Sequence, residues 1–317
     1  MTMKNKIIIT EKESGLRLDK FLVEKKKNYS RSFWQKAIKD NLVLVNGEST
    51  SAHYKIKEDD EIKIKQREVK KVIKEKKIDL SPDKKIKFEI IFEDDNFLVI
   101  NKPAGLTVHP SDGTPKGTLA NGLLAYLPKL KKVGEDELRP GIVHRLDKDV
   151  SGLMVVAKNQ KTFLHLKEQF KSRKVKKEYL ALVYGVINKD YDEINLKIGR
   201  SKTTGIMATG GDNYKEAKTL FWVKKRFRNY SYLKVEILTG RTHQIRVHLR
   251  AIDHPVVGDK MYYLKKYNNI RDFNLNRSFL HSYKLGFKNM DGEWLEFEND
   301  LPAELNSILK EIDIIYE

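Results

Sequence analysis

The sequence predicts an α+β protein: a larger domain with a mixed, mostly antiparallel central sheet and flanking helices, preceded by a small α/β domain. The first reason is that apolar strands follow one another without a helix between them, as at 179–184, 220–223 and 232–238. A doubly wound parallel sheet would alternate strands with helices. The second reason is that a lysine-rich stretch at 66–87 separates two regions of more ordinary composition.

Residues 1–65 are predicted to form the small domain, with two short helices followed by strands. The second helix has an apolar stripe that includes Trp34, and Asn46 with Gly47 is a strong signal for a tight turn between strands. Three basic residues lie mainly away from the stripe: Arg31, Lys36 and Lys39. They would suit a phosphate backbone. They would equally suit the solvated face of an ordinary amphipathic helix.

Residues 66–87 contain eight lysines and few aromatic residues. This composition predicts an extended basic linker. The larger domain then spans residues 88–317. Helical windows are predicted there near 119–127, 162–170 and 242–251.

Composition favours a polyanionic partner. The chain of 317 residues carries 62 Lys and Arg against 44 Asp and Glu, which gives a formal net charge of +18. Such a surplus favours nucleic acid first and an acidic membrane surface second. A lysine-rich proteome would raise the charge of every protein, so charge alone does not decide.

Several classes of chemistry can be set aside. The chain has no cysteine, which excludes disulfides, a thiolate nucleophile and cysteine-based metal sites. No phosphate-binding glycine loop is present, and His243 and His248 are not spaced as a zinc pair. We therefore expect no cofactor and no metal, and structural roles for most histidines.

The chain is also expected to stay in the cytoplasm and away from membranes. Its first residues lead into an apolar stretch that is too short for a signal peptide. Nowhere do about 18 apolar residues follow one another, so no transmembrane helix is predicted. A monomer is expected.

The most informative segment is the stretch at 139–158, in which His144, Arg145 and Leu146 precede Asp147 and an apolar strand follows the loop. A carboxylate on a loop held by a rigid strand is a common position for a functional group. Asp147 could be a nucleophile, or it could be only a turn residue.

Two further segments offer partners for this carboxylate. Arg246 emerges beside the apolar stripe of a predicted helix at 242–251, where it could pair with a partly buried carboxylate and keep it ionised and oriented. Tyr179 lies in a predicted strand, where tyrosines usually pack in the core. If it faces a pocket, it offers a flat surface for a base.

Together these segments resemble a known family, the ribosomal large-subunit pseudouridine synthases of the RluA/RluD group. The four motifs are residues 101–110, residues 144–147 with 151–153, the segment around Tyr179, and residues 240–249 with 254–259. Residues 15–65 resemble the S4-like RNA-binding domain that many members carry. One departure is Val150, which stands where the family usually has threonine before Ser151.

The resemblance implies isomerisation of uridine to pseudouridine within RNA without a cofactor. Asp147 would be the essential carboxylate, Arg246 would pair with it, and Tyr179 would stack on the uracil and help to remove the C5 proton. A single carboxylate can serve the reaction in three ways: it can attack C1′, attack C6, or remove a proton from C2′. All three stay open at the level of sequence.

The resemblance also implies RNA contacts. Arg145 would enter the RNA as the target nucleotide leaves the stack, and His144 and Lys102 would contact the backbone or the pocket. Ribosomal large-subunit RNA is the expected partner, with transfer RNA as the alternative. A different class of function would be an assembly factor on the same scaffold that binds RNA without catalysis. The joint presence of Asp147, Tyr179 and Arg246 favours the enzyme.

Overall fold

The computed structural model describes residues 6–26, 29, 31–65, 78–111, 113–201, 203–211 and 213–316. The chain divides into two compact units, Met1–Lys77 and Ile78–Glu317. Each unit has its own hydrophobic core. Residues 66–77 of the predicted linker lie outside the described residues.

The first unit is a small α/β domain. Its elements are the strands β1 (Lys6–Ile8), β2 (Val43–Val45) and β3 (Glu61–Ile64) and the helices α1 (Leu18–Lys25) and α2 (Arg31–Lys39). The strands form an antiparallel sheet in the order β1-β3-β2. The helices cover it with buried side chains that include Phe21 of α1 and Trp34 of α2. Asn46 and Gly47 form the predicted turn, and both have the positive φ that a type I′ turn requires.

The second unit is built on a nine-stranded sheet with helices packed against it. Its helices are α3 (Leu119–Tyr126), α4 (Gln160–Lys171), α5 (Gln244–Ala251) and α6 (Ala303–Tyr316). Its strands are β4 (Glu89–Glu93), β5 (Phe97–Lys102), β6 (Ser151–Ala157), β7 (Lys176–Tyr184), β8 (Tyr191–Asn195), β9 (Ile198–Arg200), β10 (Met207–Thr209), β11 (Lys218–Arg226), β12 (Tyr230–Ile237), β13 (Leu280–Lys288) and β14 (Trp294–Glu298).

The sheet is mixed and mostly antiparallel, so the predicted fold class is confirmed. Its strand order is β4-β5-β6-β13-β7-β12-β11-β8, with β14 added along β13 and with β9 and β10 in a separate two-stranded sheet. Strands β6 and β13 run parallel, whereas the other pairs are antiparallel. No helix among the described residues is long and apolar enough to span a membrane.

The second unit begins at Ile78, earlier than the predicted boundary at residue 88. The side-chain amide of Asn121 in α3 donates hydrogen bonds to the carbonyls of Asp79 and Ser81, at 2.9 and 2.8 Å. A Cβ at Gly122 would lie 2.8 Å from the side chain of Ile86. Residues 78–87 therefore pack on α3 rather than extend as a linker, since a glycine and an amide on that helix accommodate them.

The parallel pair β6–β13 sets the position of the loop that carries Asp147, because β6 begins directly after that loop. Gly152 has φ +118°, and a Cβ there would meet the carbonyl oxygen of Ser282 at 2.2 Å. Only glycine allows the two backbones to come this close. The loop is thus tied to the centre of the sheet.

A buried polar cluster fixes the same strand start. Ser151 donates to His281 Nδ1 at 2.8 Å, and Arg277 Nη2 donates to the Ser151 hydroxyl at 2.6 Å. His281 Nε2 then donates to the carbonyl of Asn299 at 3.1 Å, a tautomer that we assign from these partners. Burial, together with the charge of Arg277, lowers the pKa of His281 to about 4, although the hydrogen bond to the Asn299 carbonyl acts in the opposite direction.

This cluster predicts a loss of stability in acid. The folded pKa of His281 lies below the usual 6.5, so the folded state binds fewer protons than the unfolded state between these values. The contribution to stability is present above about pH 6.5 and is lost as the pH falls towards 4. Between pH 6.5 and 4.5 the wild type should lose about 2 kcal/mol more than His281→Met.

Urea denaturation at a series of pH values measures this difference. The matched control is His165→Met, because His165 is partly exposed on α4. That control should follow the wild-type pH dependence. Equal slopes for the wild type and His281→Met would contradict the prediction.

Candidate active site

Asp147, Tyr179 and Arg246 line a single pocket in the second unit, with a volume of about 480 Å³. This volume lies within the range of roughly 300–1,000 Å³ that is usual for ligand pockets. The walls come from the loop before β6, the end of α4, the start of β7, and the chain from the end of β12 into α5. Residues that are far apart in sequence therefore meet at one site.

Asp147 projects into this pocket from a tight turn. Its neighbours in the loop, Leu146 and Val150, are buried in the core, and the Val150 N–H donates to the Asp147 carbonyl at 3.2 Å. The Asp147 side chain remains 16% exposed. Asp147 is thus a turn residue through its backbone, and its carboxylate is left available to a ligand. Val150 fills the core with its methyl groups at this position.

Arg246 of α5 holds the Asp147 carboxylate through an ion pair. Arg246 Nη1 donates to Asp147 Oδ2 at 3.1 Å. The opposite side of the guanidinium is bound by Asp259, with Nε to Oδ2 at 2.5 Å and Nη2 to Oδ1 at 2.9 Å. Such a two-point contact fixes the plane of the guanidinium. Arg246 is therefore aimed at Asp147 by a second, buried carboxylate.

The guanidinium of Arg246 stays protonated in this environment. Burial lowers the pKa of Arg246, but the hydrogen bonds and charges of Asp259 and Asp147 outweigh burial and raise that pKa above its ordinary value. Asp259 is itself held by the N–H groups of Met261 and Tyr262, at 2.9 and 3.0 Å. The orientation of Arg246 therefore rests on backbone geometry.

Tyr179 lies on β7, between β12 and β13, and is 6% exposed. Burial raises the pKa of its phenol well above the ordinary value, and the charge of Asp147 raises it further. A phenol with such a pKa is neutral at pH 7. The pocket thus pairs a charged carboxylate–guanidinium unit with a neutral aromatic wall.

His243 also lies beside Asp147, although sequence reasoning assigned structural roles to most histidines. Its backbone has φ +57°, at the residue before α5, and its Nε2 is 3.9 Å from Asp147 Oδ1. Its Nδ1 shares a 2.8 Å hydrogen bond with the hydroxyl of Tyr262. Only its place three residues before Arg246, directly before the helix, could have pointed to it.

His248 has the structural role that sequence reasoning expected. Its two ring nitrogens form hydrogen bonds of 2.9 Å with Thr219 Oγ1 and with the carbonyl of Leu196. It joins α5 to β11 and to the chain after β8. Among the described residues, no group of three or more His, Asp or Glu side chains could hold a metal ion.

Lys102 is buried away from the pocket surface. Its ammonium donates to the carbonyls of Pro103, Leu106 and Lys148 at 2.7, 2.9 and 3.1 Å, and its side chain has no exposed surface. Burial lowers its pKa to about 7. These contacts join the loop after β5 to the loop of Asp147. Lys102 is therefore not placed for the RNA contact that the resemblance implies.

His144 lines the pocket, but its ring is already engaged in contacts within the protein. Its Nε2 accepts the Val155 N–H at 3.0 Å, and its ring stacks on Phe170 with centroids 4.5 Å apart. Burial lowers its pKa to about 3, so the ring is neutral. Its neighbour Arg145 is exposed at the same pocket. Of the two, Arg145 is the one that is free to reach a ligand.

The three predicted RNA contacts of the first unit lie on α2. Lys36 and Lys39 are exposed. Arg31 donates to the buried Asp19 at 2.9 Å, and Arg17 and Gln35 bind the same carboxylate. Arg31 thus stabilises the helix pair as well as contributing charge to the surface.

Comparison with known proteins identifies relatives of this chain. A family model described as RNA pseudouridylate synthase matches residues 96–251, and an S4 domain model matches residues 16–62. An uncharacterized RNA pseudouridine synthase of Aquifex aeolicus is 41% identical over 298 residues, which are 92% of each chain. The chain belongs to the RNA pseudouridine synthase family. The predicted resemblance is confirmed, and the protein is an isomerase that acts on RNA.

Two further relatives show how widely the likeness extends. Ribosomal large subunit pseudouridine synthase D of Neisseria meningitidis is 36% identical over 304 residues, which cover 93% of this pseudouridine synthase and 78% of that protein. The solved structure of human RNA pseudouridylate synthase domain containing 1 matches with a TM-score of 0.55 at 27% identity. It covers 74% of this chain and 97% of the human one.

The Arg246–Asp259 contact generates a prediction about activity. In Asp259→Asn, the guanidinium loses its anionic two-point partner and is no longer aimed at Asp147. We expect kcat/KM for pseudouridine formation to fall about 100-fold, with RNA affinity changed by less than about threefold. Single-turnover assays and RNA binding measure the two quantities.

The matched control is Asp253→Asn, because the Asp253 side chain is 70% exposed and its ion pair with Lys266 lies on the surface. Asp253→Asn should behave as the wild type. A wild-type rate for Asp259→Asn would show that Arg246 does not need its second carboxylate.

Proposed function

We propose that this pseudouridine synthase modifies uridines of large-subunit ribosomal RNA, with Asp147 as its single catalytic carboxylate and no cofactor. The observation that carries the proposal is the carboxylate of Asp147 in a pocket, oriented by an arginine that a second carboxylate fixes. The RNA substrate is inferred from the S4 domain match and from relatives named for the large ribosomal subunit.

In this proposal Asp147 serves the reacting nucleotide directly. The N1–C1′ bond breaks, the uracil turns, C5 bonds to C1′, the C5 proton leaves and N1 gains a proton. Asp147 can assist by attack on C1′, by attack on C6, or by removal of the C2′ proton. Each route needs one ionised, positioned carboxylate, and Arg246 supports that state through its ion pair.

Tyr179 is proposed to support the uracil ring while it turns. Its buried ring presents a flat surface on the pocket wall. Because its pKa is raised, Tyr179 is not a free phenolate at pH 7. Any part that it takes in removing the C5 proton must therefore couple acceptance of that proton to release of its own phenolic proton.

Arg145 is proposed to occupy the gap that the target nucleotide leaves in the RNA. Extruding a base from its stack costs a few kcal/mol, and a planar cation in the gap offsets part of that cost. Arg145 is exposed at the pocket and adjoins the Asp147 loop, so one segment would carry both functions. His144, beside it, supports the wall through its stack on Phe170.

The two units are proposed to divide the work. Residues 1–65 bind RNA through Lys36, Lys39 and the outer part of Arg31, residues 66–77 connect the units, and residues 78–317 carry out the reaction. We propose that the protein acts as a monomer. Transfer RNA remains the alternative substrate.

The catalytic role of Asp147 predicts a separation of chemistry from binding. Asp147→Asn keeps the shape of the side chain and removes the charge, so pseudouridine formation should fall by at least about 1,000-fold, as for the removal of a central catalytic group. RNA affinity should stay within about twofold. Asp149→Asn, in the same turn, is the matched control and should keep most activity. Normal pseudouridine formation by Asp147→Asn would refute the role.

The choice of substrate is tested by mapping pseudouridines in total RNA from cells with and without the protein. We expect specific sites to disappear from large-subunit ribosomal RNA in the deletion strain. Wild-type protein should restore them and Asp147→Asn should not. Loss of sites from transfer RNA, with ribosomal RNA unchanged, would replace the proposed substrate. If deletion slows growth and Asp147→Asn restores it, the result would instead favour a role in ribosome assembly that does not depend on catalysis.

A further inference from the structure

Lys177 is a buried lysine that opens onto the active-site pocket. It lies two residues before Tyr179 on β7, so the two side chains project from the same face of the sheet. Its residue surface is 7% exposed, and it lines the same pocket as Asp147. A cation of this kind at a binding site calls for a partner.

Within the described part of the chain, the Lys177 ammonium forms no hydrogen bond and no ion pair. Its Nζ lies 5.8 Å from the centroid of the Phe170 ring. Burial, opposed by the charge of Glu236 and assisted by that of Arg173, lowers the pKa of Lys177 to about 8. Glu236 therefore acts on Lys177 only from beyond ion-pair distance.

The other buried lysines of the described residues show what Lys177 lacks. Lys102 donates to three backbone carbonyls. Lys158 donates to Glu93 at 2.7 Å and to the carbonyl of Asp94. An ammonium that is largely removed from water and has no acceptor in the protein is unfavourable unless water or a ligand supplies one. Lys177 thus differs from both by being left for something that the protein does not provide.

The surroundings indicate that the missing partner is an anion. Arg145, Lys171 and Arg173 line the same pocket as Lys177. The Lys177 ammonium lies 5.8 Å from the centroid of the Phe170 ring at the end of α4, whereas the Asp147 carboxylate contacts His243 and Arg246 at the start of α5. Lys177 thus belongs to the side of the pocket formed by the turn between α4 and β7, away from the carboxylate.

We propose that Lys177 binds a phosphodiester oxygen of the RNA at a linkage next to the target uridine, in a subsite that Phe170 and Arg173 complete. The inference rests on the proposed function and specifies which part of the substrate this side of the pocket receives. A phosphate carries its charge before, during and after the reaction, so the contact contributes to binding and to the placement of the nucleotide. The developing charge on the uracil is left to the side of the pocket near Tyr179 and Asp147.

The test uses an RNA fragment with one uridine that the wild-type enzyme modifies, and the variants Lys177→Met and Lys177→Arg. Lys177→Met should weaken RNA binding about 10-fold or more and lower the slope of log Kd against log salt by roughly 0.7–0.9, the value for one phosphate contact. Lys177→Arg should recover most of the affinity. The single-turnover rate at saturating RNA should change by less than about threefold.

Lys171→Met is the matched control, because Lys171 lines the same pocket from an exposed position at the end of α4. It should weaken binding less than Lys177→Met does. The thermal midpoint of Lys177→Met should not fall, because methionine replaces a largely buried ammonium that has no acceptor in the protein. A fall in rate with unchanged Kd would overturn the proposal and place Lys177 at the uracil.

A second arm changes the RNA and leaves the wild-type protein intact. Neutral methylphosphonate groups replace single phosphates on either side of the target uridine, and binding to the wild type is measured. One linkage should lose about as much affinity as Lys177→Met does, and Lys177→Met should be insensitive to that replacement. Equal effects at every linkage, or additive effects in the variant, would overturn the proposal. Pseudouridine formation by the wild type is measured separately, so a failure of the proposed function is distinguishable.

Discussion

The site depends on one interaction, the guanidinium of Arg246 held between two carboxylates. Asp259 binds it at two points with no side-chain exposure, and Asp147 binds it at one point in the pocket. An arginine that faces two acids stays charged, and a guanidinium held at two atoms cannot rotate freely. The buried acid thus fixes the cation, and the cation fixes the acid that a substrate meets. Removing Asp259 would leave Arg246 charged, partly buried and without its anchor.

The fold also fixes the position of the Asp147 loop, because the chain on either side of the loop is bound to the central sheet. Gly152 brings β6 within reach of β13, and the Ser151–His281 hydrogen bond locks the same strand start. Lys102 joins the loop to the turn after β5 through the carbonyl of Lys148. These contacts belong to the core of the sheet. The carboxylate can therefore sit on a turn, with its side chain partly exposed, and still have a defined position.

The sequence allowed the fold class and the central residues of the site to be predicted, because periodicity and motif order report on strands, helices and pocket segments. It could not show that Lys102 is buried, since a lysine after a strand looks solvent-exposed until the loop above it is placed. It also did not distinguish His243 from His248. The two share one segment, but His243 lies at the pocket beside Asp147, whereas His248 packs on the sheet. The packing of residues 78–87 was hidden for a similar reason: their lysines suggest a linker, whereas Asn121 holds their backbone.

The buried lysines differ in whether the protein itself supplies an acceptor for their charge. Composition treats Lys102, Lys158 and Lys177 as equal contributions to a net charge of +18. In the fold, two of them bind acceptors of the protein, and within the described residues the third has none. Because a buried charge is tolerated only when something neutralises or solvates it, the difference is informative. The basic character of the chain thus divides into cations that hold the protein together and a cation that is left for the RNA.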